Sequence, residues 1–279
     1  DDMQSFSSYA FNKAHAAAYS FVAYRTAYLK RHYPAEYFAS LMTSMMDSSS
    51  KIALYTEDCR KNGIKILPPS VNTSGAGFTP DGGNIRFGLN AVKNLGAGVI
   101  DRLIKEREEN GEYTSAYDFC LRNYSREFNR KALEGLIKSG AMDCLCANRR
   151  KLLYNMEGML TAAEGEKRYS SDGQLNLFDE MGDAVDYTMT EAEEMPEELK
   201  LAFEKEACGL YLSGNPLDKY KPYLNKIGVA SAAQINLKKY RDGSRVKIGG
   251  LVENLKVRQL KNNSLMASAV LEDTSGTVT

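Results

Sequence analysis

The hydrophobic period of this chain changes along its length, from helical spacing to alternation, and that change limits it to a mainly α body with small β elements. Over 15–32, Phe21, Tyr24, Tyr28 and Leu29 recur at helical spacing with Arg25, Lys30 and Arg31 interleaved. Pro34 suits the first turn of a second helix, whose apolar members are Tyr37, Phe38, Leu41, Met42 and Met45. A third helix, capped by Asp47 or one of Ser48 to Ser50, runs to about Lys61, and Gly63 stands where a helix-ending glycine belongs. Ile64-Lys65-Ile66-Leu67 before Pro68-Pro69 reads as a short strand, and Gly77 to Phe87 as a hairpin turned at Asp81-Gly82-Gly83. Helix returns from Asn90 to about Tyr154 and again from Pro196 to Ala207. After Tyr240 the pattern alternates, with Val246, Ile248, Leu251, Val252 and Leu255 before a Lys261-Asn262-Asn263 turn and Leu265, Met266, Ala269, Val270 and Leu271 after it. That is the opening of a small β-barrel, incomplete where the sequence stops.

Charge is balanced overall and uneven locally. Residues 1–150 hold 20 lysines and arginines against 16 acidic residues, 151–240 hold 10 against 16, and 241–279 hold 6 against 4. The stretch 169–199 has no Lys or Arg, and 163–199 reads as an exposed acidic linker with one apolar island. Basic regions flanking an acidic insert suit nucleic acid at both ends. No apolar run reaches bilayer length and no leader stands at the start, so no membrane contact is expected. Asp1-Asp2-Met3 does not resemble a natural start, and the chain reads as an excerpt. The five cysteines are irregularly spaced. Cys144 and Cys146 could form half a zinc site, but nothing nearby completes it; reduced thiols of the cytoplasm are the expectation, with no metal site.

Four constellations carry chemistry. Leu95-Gly96-Ala97-Gly98 lies between a short helix and a longer one starting near Val99. Glycines at alternate positions let a backbone approach a phosphate, and amides at the new helix start point toward an anion; a plain turn between packed helices is the alternative. Asn129 to Asp143 repeats the logic with a turn at Ser139-Gly140. Residues 116–151 carry eight bases (among them Arg130, Lys131, Lys138, Arg149 and Arg150) against four acids, some of which a solvated helix face would explain. Two such hairpins in tandem clamp a duplex backbone without reading bases, and Lys93 joins the expected DNA contacts. Gln174-Leu175-Asn176-Leu177-Phe178 has no periodic apolar neighbours, so Leu177 and Phe178 suit a partner's pocket, with Gln174 and Leu175 beside them. In Tyr9 to Tyr19, Lys13 and His15 could offer donors to a triphosphate, or could simply open a packed helix.

In this order these segments resemble the C-terminal half of the alpha subunits of bacterial DNA polymerase III, the C-family replicases. The resemblance rests on Tyr9 to Tyr19, His32-Tyr33-Pro34-Ala35-Glu36-Tyr37, Ile66-Leu67-Pro68-Pro69-Ser70-Val71-Asn72, Asn129 to Asp143, and Glu204-Lys205-Glu206-Ala207-Cys208-Gly209-Leu210-Tyr211-Leu212-Ser213-Gly214-Asn215-Pro216-Leu217-Asp218. It implies a fingers segment over 1–75 that closes on nucleotide with Lys13 and His15, and a tandem helix-hairpin-helix duplex-binding domain over 76–155. It further implies a linker over 156–200 with a sliding-clamp peptide (Gln174, Leu175, Leu177 and Phe178), a helical connector over 201–240, and over 241–279 the start of an OB-fold for single-stranded template. Ala14 and Asn215 stand where many members have Ser and His, which leaves a hydroxyl or imidazole role there unsupported. Primer-template DNA, a sliding clamp and other replicase subunits are the implied partners. The family's catalytic carboxylates and their Mg2+ are expected in a palm domain outside this sequence, which has no Asp-x-Asp pair on a strand-like segment; the fragment itself is expected to carry no cofactor and no polymerase activity. A repair adaptor recruited by a clamp, or an error-prone paralogue, are the rival readings.

Overall fold

The computed structural model describes residues 13–279, apart from 126, 172–186, 237–238, 261–262 and 274–275. Three helices come first: α1 (Lys13–His32), α2 (Pro34–Thr43) and α3 (Ser49–Lys61). Pro34 lacks an amide only where a helix start needs none, so it opens α2 and separates it from α1. Helix α1 has no buried residue: Phe21 is 69% exposed and Tyr24 68%. Its periodicity therefore marks a face without a packing partner among the described residues.

Strands β1 (Ile66–Leu67), β2 (Thr79–Asp81) and β3 (Asn84–Arg86) form one sheet in the order β1-β3-β2, with β1 parallel and β2 antiparallel to β3. Gly82 and Gly83, at φ +57° and +79°, make the two-residue turn that only such backbone angles allow. The hairpin packs on α2 and α3 in a core of Phe38, Met42, Ile52, Cys59, Ile64, Phe78, Ile85 and Phe87, joined by Cys208 and Leu210. Its hydrophobic side chains thus sit with the first helices, although the sequence suggests a boundary at 75. Burial pushes the Cys59 thiol up to about 12, and all five cysteines are free.

A second core holds the middle of the chain. A 3-10 turn (Leu89–Ala91) leads to α4 (Ala97–Asn110), α5 (Ala116–Asn123), α6 (Arg130–Lys138) and α7 (Arg149–Ser171). Ile100, Leu103, Phe119, Phe128, Leu133, Leu136, Ile137, Leu152 and Met159 are buried together there, each worth about 1.5–3 kcal/mol relative to exposure. Arg107 donates to the carbonyls of Val71 and Ser74 at 2.8 and 3.0 Å, and Arg122 to those of Glu106 and Gly111 at 3.2 and 2.8 Å. Several of the body's arginines are therefore staples for loops.

The expected linker over 163–199 is in part ordered. Helix α7 continues to Ser171, and after the undescribed residues the chain returns along it. Asn155 exchanges hydrogen bonds with the Thr190 backbone at 2.8 Å each, Asn148 donates to the Ala192 carbonyl at 2.6 Å, and Tyr187 stacks on Tyr117. Side-chain amides substitute for a strand partner, which is why no apolar pattern announces the contact.

Helix α8 (Glu197–Cys208) follows, ended by left-handed Gly209, then a 3-10 turn (Asp218–Tyr220) and short helices α9 (Lys221–Ile227) and α10 (Ala232–Asn236). The last sheet is antiparallel, β4 (Leu251–Gln259), β5 (Leu265–Asp273) and β6 (Gly276–Val278), running from Leu251 opposite Glu272 to Gln259 opposite Leu265. Val246 and Ile248, read as strand from the sequence, precede it; Ile248 makes only an isolated bridge to Ala230. Among the described residues no helix is long and apolar enough to cross a membrane.

Glu194 anchors the returning segment. Its carboxylate accepts from the Lys200 ammonium at 2.9 Å and from the amides of Met195, Arg149 and Arg150 at 2.7, 3.2 and 3.4 Å. Burial opposes its charge, but Lys200 and those three amides hold its carboxyl below the ordinary value. A depressed carboxyl stabilises the fold above its unfolded value and loses that contribution as pH falls through the folded one. We expect the Arg149 and Arg150 amide resonances to shift together as pH falls below the ordinary carboxylate range, and Glu194→Gln to reproduce the shift at neutral pH. Resonances of those amides indifferent to both changes would contradict the anchor.

Candidate nucleic-acid interface

A helix start leaves amides without intrahelical partners, and what satisfies them separates the four helices of the central body. At α5, Ser115 accepts from the Asp118 amide at 3.0 Å; at α6, Asn129 accepts from the Ala132 amide at 3.1 Å. At α7, Asn148 accepts from Lys151 at 2.9 Å while Glu194 takes the amides of Arg149 and Arg150. Helix α4 differs. Gly96 is its cap, no side chain closes the turn, and no acidic residue lies in its first turn. A Cβ added at Gly96 or Gly98 would meet nothing within 4 Å among the described residues, so no described neighbour requires a glycine there.

The approach to this tip is contacted from two sides. The Lys93 amide donates to the Ala207 carbonyl at 2.8 Å, and the Lys93 carbonyl lies 3.0 Å from where a Cβ on Gly135 would be, so α6 and α8 both press on the segment. Lys93 itself is exposed, as is Lys131, one turn before Gly135 on α6. Arg150 is exposed at the start of α7. Arg130 is exposed but paired with Glu157 of α7.

The second expected grip, at Ser139-Gly140, faces inward. Ser139 is fully buried and its hydroxyl donates to the Leu136 carbonyl at 2.9 Å. Gly140 has φ +81°, and a Cβ there would collide with the Arg149 guanidinium. Lys138 pairs with Glu134 and Glu206, both at 2.8 Å, and lies over the Phe203 ring. Arg149, its side chain 4% exposed, donates to Asp143 at 2.7 and 2.9 Å and to Glu204 at 3.1 Å. The reason is polarity along the helix: Ser139-Gly140 closes the C-terminus of α6, where carbonyls rather than amides are exposed and an anion is repelled. In this fold Lys138, Ser139, Gly140 and Arg149 hold the body together.

Glu204, not singled out in the sequence, is the centre of that arrangement. Its side chain is fully buried, and its second oxygen accepts from the amides of Leu212 and Ser213, each at 2.9 Å. A signal existed: Glu204 shares a helical face with Leu201, Ala207 and Cys208, all buried. Likewise Arg149 aligns with buried Leu152 and Met156, whereas Arg150 aligns with Tyr154, 70% exposed.

Lys13 and His15 are exposed at the start of α1, with the His15 ring 4.4 Å from that of Tyr19. The Gln174, Leu175, Leu177 and Phe178 peptide lies outside the described residues.

The helix-hairpin-helix motif family matches residues 63–152. Over 285 residues the chain is 39% identical to the DNA polymerase III subunit alpha of Saccharopolyspora erythraea, a match covering 98% of the chain and 24% of the relative. It is 40% identical over 289 residues to that of Mycobacterium tuberculosis and 39% over 283 to that of Borreliella burgdorferi, in each case over 99% of the chain and 24% of the relative. The chain thus spans about a quarter of the length of these relatives.

Arg149→Met should lower the free energy of unfolding by about 3–5 kcal/mol, since it leaves Glu204 buried without its cation. Arg150→Met should change it by less than about 0.5 kcal/mol. Denaturant titration decides; equal effects at the two neighbours would contradict the inward and outward assignment.

Proposed function

Since the chain belongs, as a segment, to the DNA polymerase III alpha-subunit family, we propose that it serves template-directed DNA synthesis by holding primer-template DNA for a replicative polymerase. The observation that carries this reading is the uncapped start of α4. Bare amides, glycines with open space beside them and the exposed cations Lys93 and Lys131 form a surface for one phosphate backbone. Arg150 extends the cationic surface, and Arg130 joins it by exchanging Glu157 for a phosphate. Contact through backbone amides and cations reads no bases, so the grip is independent of sequence and weakens with salt.

The other parts take their roles from the family. Residues 1–75 act as a fingers segment, with Lys13 and His15 near the nucleotide phosphates. The Gln174, Leu175, Leu177 and Phe178 peptide docks on a sliding clamp and tethers the enzyme to the primer end, raising its effective concentration there. Strands β4, β5 and β6 open an OB-fold that meets single-stranded template, where the exposed Lys256 and Arg258 supply charge. Among the described residues no group of three or more His, Cys, Asp and Glu could hold a metal ion. By analogy with the family, the Mg2+ of the polymerase reaction would be held by a palm domain outside these residues, and the part proposed for this chain is positioning.

Fluorescence anisotropy of the intact chain on duplexes of unrelated sequence tests the grip. Lys93→Ala with Lys131→Ala should weaken every duplex alike and reduce the log-log salt slope by about 0.9 for each phosphate contact removed. Leu177→Ala with Phe178→Ala should abolish binding to a bacterial sliding clamp and leave duplex affinity within about twofold. An unchanged salt slope in the lysine variant overturns the α4 interface, and loss of duplex binding in the peptide variant overturns the division of labour.

A further inference from the structure

Helix α8 carries three consecutive charged side chains, Glu204, Lys205 and Glu206, and each reaches a different part of the molecule. Glu204 meets Arg149 of α7, and Glu206 meets Lys138 of α6. Both therefore hold α8 against the body that presents the α4 tip. Successive helical side chains diverge by about 100°, and Lys205 points elsewhere. Its ammonium lies 3.1 Å from Glu253 of β4 and 2.7 Å from Glu272 of β5, over the Tyr211 ring. The three side chains are half-buried rather than solvated.

Several large apolar side chains of this hairpin face solvent, while Ala269, Val270 and Leu271 are half-buried. Val252 and Leu255 of β4 are each 60% exposed, and Leu265 of β5 is 74% exposed. Among the described residues, the two ion pairs joining α8 to the hairpin both end on Lys205. Two carboxylates from adjacent strands converge on this one cation, so its loss would remove the positive charge that lets both ionise side by side.

We propose that Lys205 is a positioning residue that fixes the β4–β5 hairpin to the helix-hairpin-helix body, so that a junction of duplex and single-stranded DNA is gripped by both at once. This rests on the duplex-holding reading above and adds the coupling between the two grips. A fixed spacing makes the second contact intramolecular, and the gain depends on geometry rather than on any new contact with DNA.

The test compares three DNAs on the intact chain: a blunt duplex, a single strand, and a primer-template junction made of both. The wild type should bind the junction at least about tenfold tighter than the better of the two parts. Lys205→Met should cut that gain at least about fivefold while leaving each part's affinity within about twofold, and Lys205→Arg should restore it. A DNA-free readout runs beside this, with dyes on Tyr154→Cys and Leu265→Cys in a Cys144→Ser, Cys146→Ser background. Lys205→Met should broaden their distance distribution. A junction gain or a narrow distance that survives Lys205→Met overturns the proposal. A wild type that ignores duplex at low salt overturns the grip reading instead, and the dye distance still decides whether Lys205 fixes the hairpin.

Discussion

One contact organises this molecule: the Arg149 guanidinium against the Glu204 carboxylate, 3.1 Å apart and almost wholly out of water. Taking either charge alone into the interior would cost several kcal/mol. Here each is surrounded by further partners. Asp143 meets the guanidinium from the side of the α6–α7 turn, and the Leu212 and Ser213 amides meet the free carboxylate oxygen. Burial works against the Arg149 charge, but Asp143 and Glu204 outweigh it and raise its pKa. The start of α7, the turn after α6, helix α8 and the chain after Gly209 are thereby fixed together.

That fixing decides which cations face outward. Arg102, Arg107, Arg122, Lys138 and Arg149 are tied to carbonyls or carboxylates within the chain. Lys93, Lys131 and Arg150 stay at the surface. The same division governs the helix starts, since α5, α6 and α7 are closed by Ser115, Asn129, Asn148 and Glu194 and α4 is left open. Among the described residues, α4 is the helix of the central body whose start no side chain caps, beside the segment that Gly135 and Ala207 contact.

Much of this was legible in the residues. Pro34, Gly63 and the Gly82-Gly83 turn mark element ends where the structure has them, and Gly96-Ala97-Gly98 marks the open helix start. Ser139-Gly140 misleads because a small-residue turn looks the same whether amides or carbonyls face out; only its place after α6 rather than before a helix tells them apart. The segment 187–196 looks like a linker because its partners are the side-chain amides of Asn148 and Asn155, far back along the chain and unmarked by any apolar rhythm. Helix α1 shows the converse, a regular apolar period with none of its residues buried. Adjacent Arg149 and Arg150 look like one basic patch until helical spacing, about 100° per residue, assigns them to different faces.

The most direct measurement is a double-mutant cycle on the organising pair, with Arg149→Met, Glu204→Met and the double variant compared by denaturant unfolding. If the two charges are held chiefly by each other, the double variant recovers about 1–3 kcal/mol relative to the sum of the single losses. Single losses that add to within about 0.5 kcal/mol would mean that the pair is incidental and that the body is held by other contacts.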